Sequence, residues 1–290
     1  RNYNGDKTST EWLLFEVYLK RLWFSNGIHH HYSNAKIKPG FNSNFLLSLL
    51  TDTNTILSDE AFDVIFNDFD SKKVDISKGV DNVLLSAVNF YGPDVTYKDV
   101  YDFYSKVKSP DPLKPLSHGL NSKLVKENGI IIEQVYKSGG LYGSAIDEII
   151  KWLELALDVA ENKPQGDALS LLISYYKSGD LQTWDDYNVA WTSATDGNID
   201  YINSFIEVYN DPLGYSGSYE TIVQINDFDM SQKMKVVSDN AQWFENNSPL
   251  MDAHKKKNVV GVTYQVVNVG GEAGDASPST PIGVNFPHAH

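Results

Sequence analysis

Glu207 and Tyr209 stand two positions apart and lead straight into Asp211-Pro212-Leu213-Gly214. A carboxylate suits an ammonium group such as the free amino end of a peptide. A phenol hydroxyl can donate to an oxygen on which negative charge develops. At the end of a helix, two residues of separation let both side chains reach one cleft; a capped helix end with an exposed acid is the plainer alternative. Glu220, on the segment that follows, is a further acid with the same two readings. His29, His30 and His31 form a second group. Imidazoles at i and i+2 on extended chain can share a metal, whereas adjacent ones diverge, so the competing reading is a polar helix-to-loop junction. His288 and His290 repeat that spacing.

Other chemistries are excluded. None of the seven histidines is followed by Glu, so the sequence carries no His-Glu zinc helix with its general base. There is no Gly-x-Ser-x-Gly elbow, no P-loop and no Gly-x-Gly-x-x-Gly. The run Val269-Gly270-Gly271-Glu272-Ala273-Gly274 lacks a following Lys and reads as a flexible turn. Lys255-Lys256-Lys257 reads as a solvated charge run.

Composition narrows the classes further. The 290 residues carry 24 Lys and Arg against 38 Asp and Glu, a formal net charge of −14. That balance argues against nucleic-acid partners and against adhesion to an anionic membrane. Cysteine is absent, which removes disulfide scaffolds, thiolate zinc sites and Cys nucleophiles. No apolar run reaches the roughly 18–20 residues that span a bilayer. Hydrophobic residues make up 41% of the chain, enough for a substantial core.

The elements that must position these residues are mostly helical at first. Thr8-Ser9-Thr10-Glu11 has the capping-box pattern, and Trp12, Phe15, Leu19, Leu22 and Trp23 recur at helical spacing. Helical stretches are expected at 44–57, 58–69, 81–88 and 97–106, then a Pro- and Ser-rich loop over 109–122. Residues 129–136 read as a strand. Ser144 is expected to cap a long helix, followed by helices around 169–176, 184–191, 199–209 and 229–244. Strands are expected at 219–225, 259–267 and 281–286. The class is α+β, helix-rich, with a small mixed β core in the second half. The organisation is read as a mainly helical part over 1–128 and an α+β part over 129–290, in one continuous lobe. The sequence starts without Met and stops just after a strand-like run, and is read as a piece of a longer protein.

The stretch Phe205–Glu220 resembles the substrate-binding segment of the dipeptidyl peptidase III family. Ser238–Glu245 and Pro281-Ile282-Gly283-Val284-Asn285 resemble later segments of that family in the same order. Trp23-Phe24-Ser25-Asn26-Gly27, with Lys36 and Pro39, resembles its N-terminal cleft region. The bacterial branch is the closer fit. The resemblance implies a two-lobed zinc exopeptidase that releases dipeptides from the N-termini of short peptides, of which this chain would carry most of the β-core lobe plus some helices and lack the zinc lobe. It implies that Glu207 and Asn285 hold the substrate ammonium and that Tyr209 donates to the scissile carbonyl or the oxyanion. It adds Glu220 to the cleft, and it lays the substrate backbone along a strand edge that includes Pro281, Ile282 and Gly283. His288 stands where the family has a second Asn. The family's zinc-binding His-Glu-x-x-Gly-His helix is expected beyond residue 290. This chain alone is therefore expected to bind no metal, to be catalytically silent and to self-associate through faces meant for the zinc lobe. A non-catalytic peptide-binding module is the alternative. The expected compartment is the cytoplasm, or the periplasm or exterior if the parent carries a signal peptide.

Overall fold

Ser9, Asn42 and Ser58 start the first three helices of the computed structural model, which describes residues 2–67, 71–259 and 265–277. Each side chain accepts a backbone N–H of the first turn, satisfying one of the donors a helix start leaves open. The helices are α1 (Thr10–Phe24), α2 (Ser43–Asp52) and α3 (Asp59–Phe66). They enclose an aromatic-rich core of Tyr18, Ile37, Phe41, Leu46 and Leu49, against which Trp12, Phe15 and Leu22 pack. Trp23, expected on the buried face of α1, is 70% exposed. Thr8 is bonded to Asp6 instead of completing a capping box.

A second core joins the short α4 (Asn82–Leu85) and α5 (Tyr97–Tyr104) to a hairpin. The hairpin is β1 (Ser122–Glu127) and β2 (Ile130–Val135), paired antiparallel across Asn128-Gly129. Both turn residues have positive φ, 50° and 81°, the chemistry of a tight hairpin. Strand β1 was not expected, because its Ser-Lys-Leu-Val-Lys-Glu carries little apolar alternation.

The largest core lies between helices and sheet. It is built by α6 (Gly143–Asp158), α7 (Lys163–Ser178) and α8 (Leu181–Ser193) against β3 (Ile199–Glu207) and β4 (Ser218–Asn226). Leu172, Tyr175 and Tyr176 of α7 are fully buried. Helix α6 starts one residue before Ser144, after Tyr142 at φ 60°, and has no side-chain cap. Strand β4 is central in a three-stranded antiparallel sheet, β3-β4-β5, with β5 running Val267–Gly274. The helical stretch expected at 229–244 is two helices, α9 (Phe228–Asp239) and α10 (Ala241–Asn246), broken at Asn240.

Two expectations are corrected on the elements that carry the site. Residues 199–207 form a strand and not a helix: three isoleucines, Tyr201 and Phe205 suit a pleated surface, and Asn203 and Ser204 favour no helix interior. The Gly-rich run 269–274 is an edge strand rather than a flexible turn. The described ladders are all antiparallel, and the class is α+β with a small sheet core. Of the strand expected over 259–267, residues 260–264 lie outside the described residues, Gln265 and Val266 are not in a strand and Val267 opens β5; the strand expected at 281–286 lies outside the described residues. No helix among the described residues is long and apolar enough to cross a membrane.

Candidate functional site

Glu207 owes its position to an irregularity in β3. Phe205 pairs with Tyr219 and Glu207 with Ser218, so Ile206 is the extra residue of a bulge. The bulge buries Phe205 and Ile206 together and re-aims the side chain that follows, as bulges beside binding sites do. Beyond it, the chain is fixed by Asp211, whose buried carboxylate accepts from Tyr91 Oη at 2.7 Å and from the N–H groups of Leu213, Tyr215 and Ser216. Asp211 is thus the anchor of the Asp-Pro-Leu-Gly turn, and burial with the neighbouring Asp211 pushes the Tyr91 phenol up.

Glu220 projects from the central strand, opposite Ser204 on one side and Gly274 on the other. It is 6% exposed, and its Oε2 has no hydrogen-bond partner among the described residues. Burial first, then the charges of Glu207, Asp275 and Glu272, push its pKa up to about 7.

Tyr209 has an exposed ring and donates its hydroxyl to Asp275 Oδ2. Asp275 Oδ1 also accepts from Asn210 Nδ2 at 3.1 Å, and the same amide reaches Ser218 Oγ at 2.9 Å. Burial, the bond to Asp275 and the charges of Asp275, Glu207 and Glu220 all raise the Tyr209 pKa, so the proton stays on the phenol. Asp275 sits on the turn that ends β5, where Gly274 has φ 70° and the Asp275 N–H reaches Tyr219 O at 2.8 Å. The turn is clasped from the N-terminal region: Asn26 Nδ2 donates to the carbonyls of Gly274, at 2.6 Å, and Ser277. Lys73 is a nearby cation; burial lowers its pKa and Asp275 opposes the shift.

The structure therefore brings Glu207, Tyr209 and Glu220 together, as the sequence suggests, and adds Asp275, which the sequence did not. Its signal was an acid directly after a Gly-rich run, 66 residues from Tyr209. Pro281, Ile282, Gly283, Asn285 and His288 lie outside the described residues. Beside Glu207 opens a cleft of about 410 Å³ lined by Tyr101, Tyr104, Trp184, Val208 and Tyr215 among others.

The three consecutive histidines do not converge on a common point, and His288 and His290 lie outside the described residues. His29 Nε2 lies 3.1 Å from the carbonyl of Ser71, His30 Nδ1 accepts from the N–H groups of Tyr32 and Ser33, and the His30 and His31 rings stack at 4.8 Å. Among the described residues no group of three or more His, Asp or Glu side chains could hold a metal ion.

Comparison with known proteins bears on residues 117–289, which match the model of Peptidase family M49. Dipeptidyl peptidase 3 of Dictyostelium discoideum is 28% identical over 130 residues, 45% of this chain and 18% of that protein. The human dipeptidyl peptidase 3 is 24% identical over 149 residues, 51% of this chain and 20% of its own length. The matched stretch thus spans about a fifth of these curated relatives. The solved structure of dipeptidyl peptidase III from Caldithrix abyssi superposes with a TM-score of 0.53 at 22% identity, over 65% of this chain and 35% of that one, and supports the α+β fold.

Proposed function

The chain belongs to peptidase family M49, and on that premise we propose that it is the substrate-binding part of a zinc-dependent dipeptidyl peptidase that takes short peptides by their free amino end. One observation carries the reading: Glu207, Glu220 and Asp275 all act on the Tyr209 phenol, and buried Glu220 has an oxygen without a hydrogen-bond partner among the described residues. A wall of carboxylates around one hydroxyl favours a ligand that brings positive charge and several N–H donors, which a peptide ammonium does. Holding that ammonium at a fixed point sets which peptide bond lies at the reacting centre, and so releases two residues at a time.

Glu207 and Glu220 take the ammonium in this proposal, and Tyr209 contacts the substrate beside them. The carbonyl-donor role implied for Tyr209 by the resemblance requires it to give up its bond to Asp275. Asn285 joins the ammonium site, and Pro281, Ile282, Gly283 and His288 line the substrate backbone, on their sequence alone. The hairpin that joins the helical part to the α+β part supports one continuous lobe.

Zinc supplies an activated water in such an enzyme. The described residues do not fit a zinc site, because their imidazoles are spent on local contacts and no acid joins them. In this proposal the chain is catalytically silent by itself. The proposed compartment is the cytoplasm, with which the absence of cysteine is compatible.

The test is dipeptide release by the whole enzyme. Glu207→Gln lowers kcat/KM roughly 100-fold, the effect of removing one partner of a charge-assisted contact, while thermal unfolding is unchanged. Unchanged turnover would sink the assignment.

A further inference from the structure

Asn4-Gly5, Asn26-Gly27 and Asn128-Gly129 are the three Asn-Gly pairs of the chain, and the fold treats them differently. An Asn side chain is attacked by the backbone nitrogen of the next residue when three conditions hold. The amide must rotate freely, the following N–H must be free to lose its proton, and no side chain may stand in the way, which Gly ensures. Asn128 meets all three. It is exposed at the tip of the β1–β2 hairpin, and its side-chain amide has no hydrogen-bond partner among the described residues. The Gly129 N–H has no acceptor among them either, and the space around Gly129 is open to 4 Å. Asn26 meets none of the first two. Its Nδ2 is spent on the carbonyls of Gly274 and Ser277, and the Gly27 N–H donates to Leu22 O at 3.0 Å. Asn4 is exposed ahead of α1, outside any helix or strand, and is the reference for an unrestrained pair.

We infer that Asn128 is a self-modification site, at which Gly129 closes a succinimide that opens to an isoaspartyl link, and that the clasp withholds Asn26 from the same reaction. The Gly129 nitrogen forms a bond to Asn128 Cγ and loses its proton. The Cγ–Nδ2 bond breaks, and Nδ2 leaves as ammonia with that proton. Water then opens the ring at either carbonyl, giving an aspartyl or an isoaspartyl residue; nothing is oxidised or reduced. The isoaspartyl product carries the main chain through the side-chain carbon, which lengthens a two-residue loop whose geometry sets the hairpin register. The effect has a route inward. Leu124 of β1 is 1% exposed, accepts from the Gly92 N–H at 2.7 Å and donates to Phe90 O at 3.2 Å. Between those two residues stands Tyr91, which bonds Asp211.

The test is to age the purified chain in mildly alkaline buffer and follow conversion by mass spectrometry after trypsin, which puts the three pairs on separate peptides. In the folded chain Asn128 is expected to convert within about threefold of the Asn4 rate, and Asn26 at least about tenfold more slowly, because its bonds must open first. In urea the three rates are expected to converge. Asn128 as slow as Asn26 in the folded chain, or Asn26 as fast as Asn4, overturns the inference. A difference that persists in urea also overturns it, by assigning the rates to sequence neighbours instead of the fold. Asn128→Gly removes the site and keeps a residue suited to positive φ. Aged wild type is expected to unfold at a lower temperature than fresh protein, whereas aged Asn128→Gly holds its Tm. An equal fall in both overturns the link to the hairpin. Asn128→Asp has the new charge on an unaltered main chain and is expected to keep its Tm. A loss matching that of the aged wild type overturns the part given to the lengthened chain.

Discussion

Asn26 Nδ2 donates to the carbonyl of Gly274 at 2.6 Å, 248 positions further along the chain. Asn26 lies just past α1 at φ 50°, a left-handed conformation that Asn tolerates better than most residues. The N-terminal helices are thereby tied to the turn after β5 that carries Asp275. Asn26→Ala removes both bonds of the clasp. The expected result is a loss of about 1–2 kcal/mol in the local stability of the β5 end, read as faster amide exchange at Asp275 with α1 amides unchanged. Equal protection in the variant would show that the clasp is incidental.

Gly274 should not tolerate a side chain. It has φ 70°, and a Cβ there would lie 2.1 Å from Tyr219 O. Gly274→Ala must push β5 away from β4 and take Asp275 from Tyr209. We expect destabilisation of more than about 2 kcal/mol. Gly271 on the same strand meets nothing within 4 Å and has no positive φ. Gly271→Ala is the matched control, expected to change stability by less than about 0.5 kcal/mol.

Glu220 makes the stability depend on pH. Its pKa in the fold, about 7, lies above the ordinary 4.5. Between those values the folded chain holds a proton that the unfolded chain has released. Its contribution is fully present below about 4.5 and is lost as pH rises through about 7. Glu220→Gln has no charge to bury, so it should be more stable than the wild type at pH 8, by on the order of 2 kcal/mol, and nearly equal at pH 4.5. Denaturant unfolding at the two pH values checks this. A variant less stable at both would mean that the carboxylate is compensated by something other than the groups described.

The short-range part of the site was legible in the sequence, and the long-range part was not. Glu207, Tyr209 and Glu220 lie within fourteen positions, so their grouping can be read without any long-range contact. Asp275 depends on β5 pairing with β4, and β5 is Val-Asn-Val-Gly-Gly-Glu-Ala-Gly, which has little strand propensity of its own. Its ladder forms because β4 offers an open edge, a tertiary effect that overrides local preference. Strand β3 was misread for a related reason. Ile199, Ile202, Phe205 and Ile206 are spaced three or four apart, which fits one face of a helix, and the bulge that makes Phe205 and Ile206 share the core also breaks the strand alternation. The helices with clear stripes, such as α6 with Ile146, Ile150 and Leu153, were read correctly because burial and period agree there.

Asp211 should prove the costliest single polar residue to change near the site. Its carboxylate serves four donors in a buried turn, three of them backbone N–H groups that have no other place to go. Asp211→Asn replaces one oxygen with a donor that must face donors already there. The expected loss is more than about 3 kcal/mol, which for a domain of this size lowers Tm by roughly 6–12 °C. Tyr91→Phe removes only one of the four bonds and leaves the backbone donors served, so about 1 kcal/mol is expected. Thermal unfolding of both variants and of the double variant separates the terms. A double variant no worse than Asp211→Asn places the Tyr91 bond within the Asp211 network, and strict additivity would show that the two act independently.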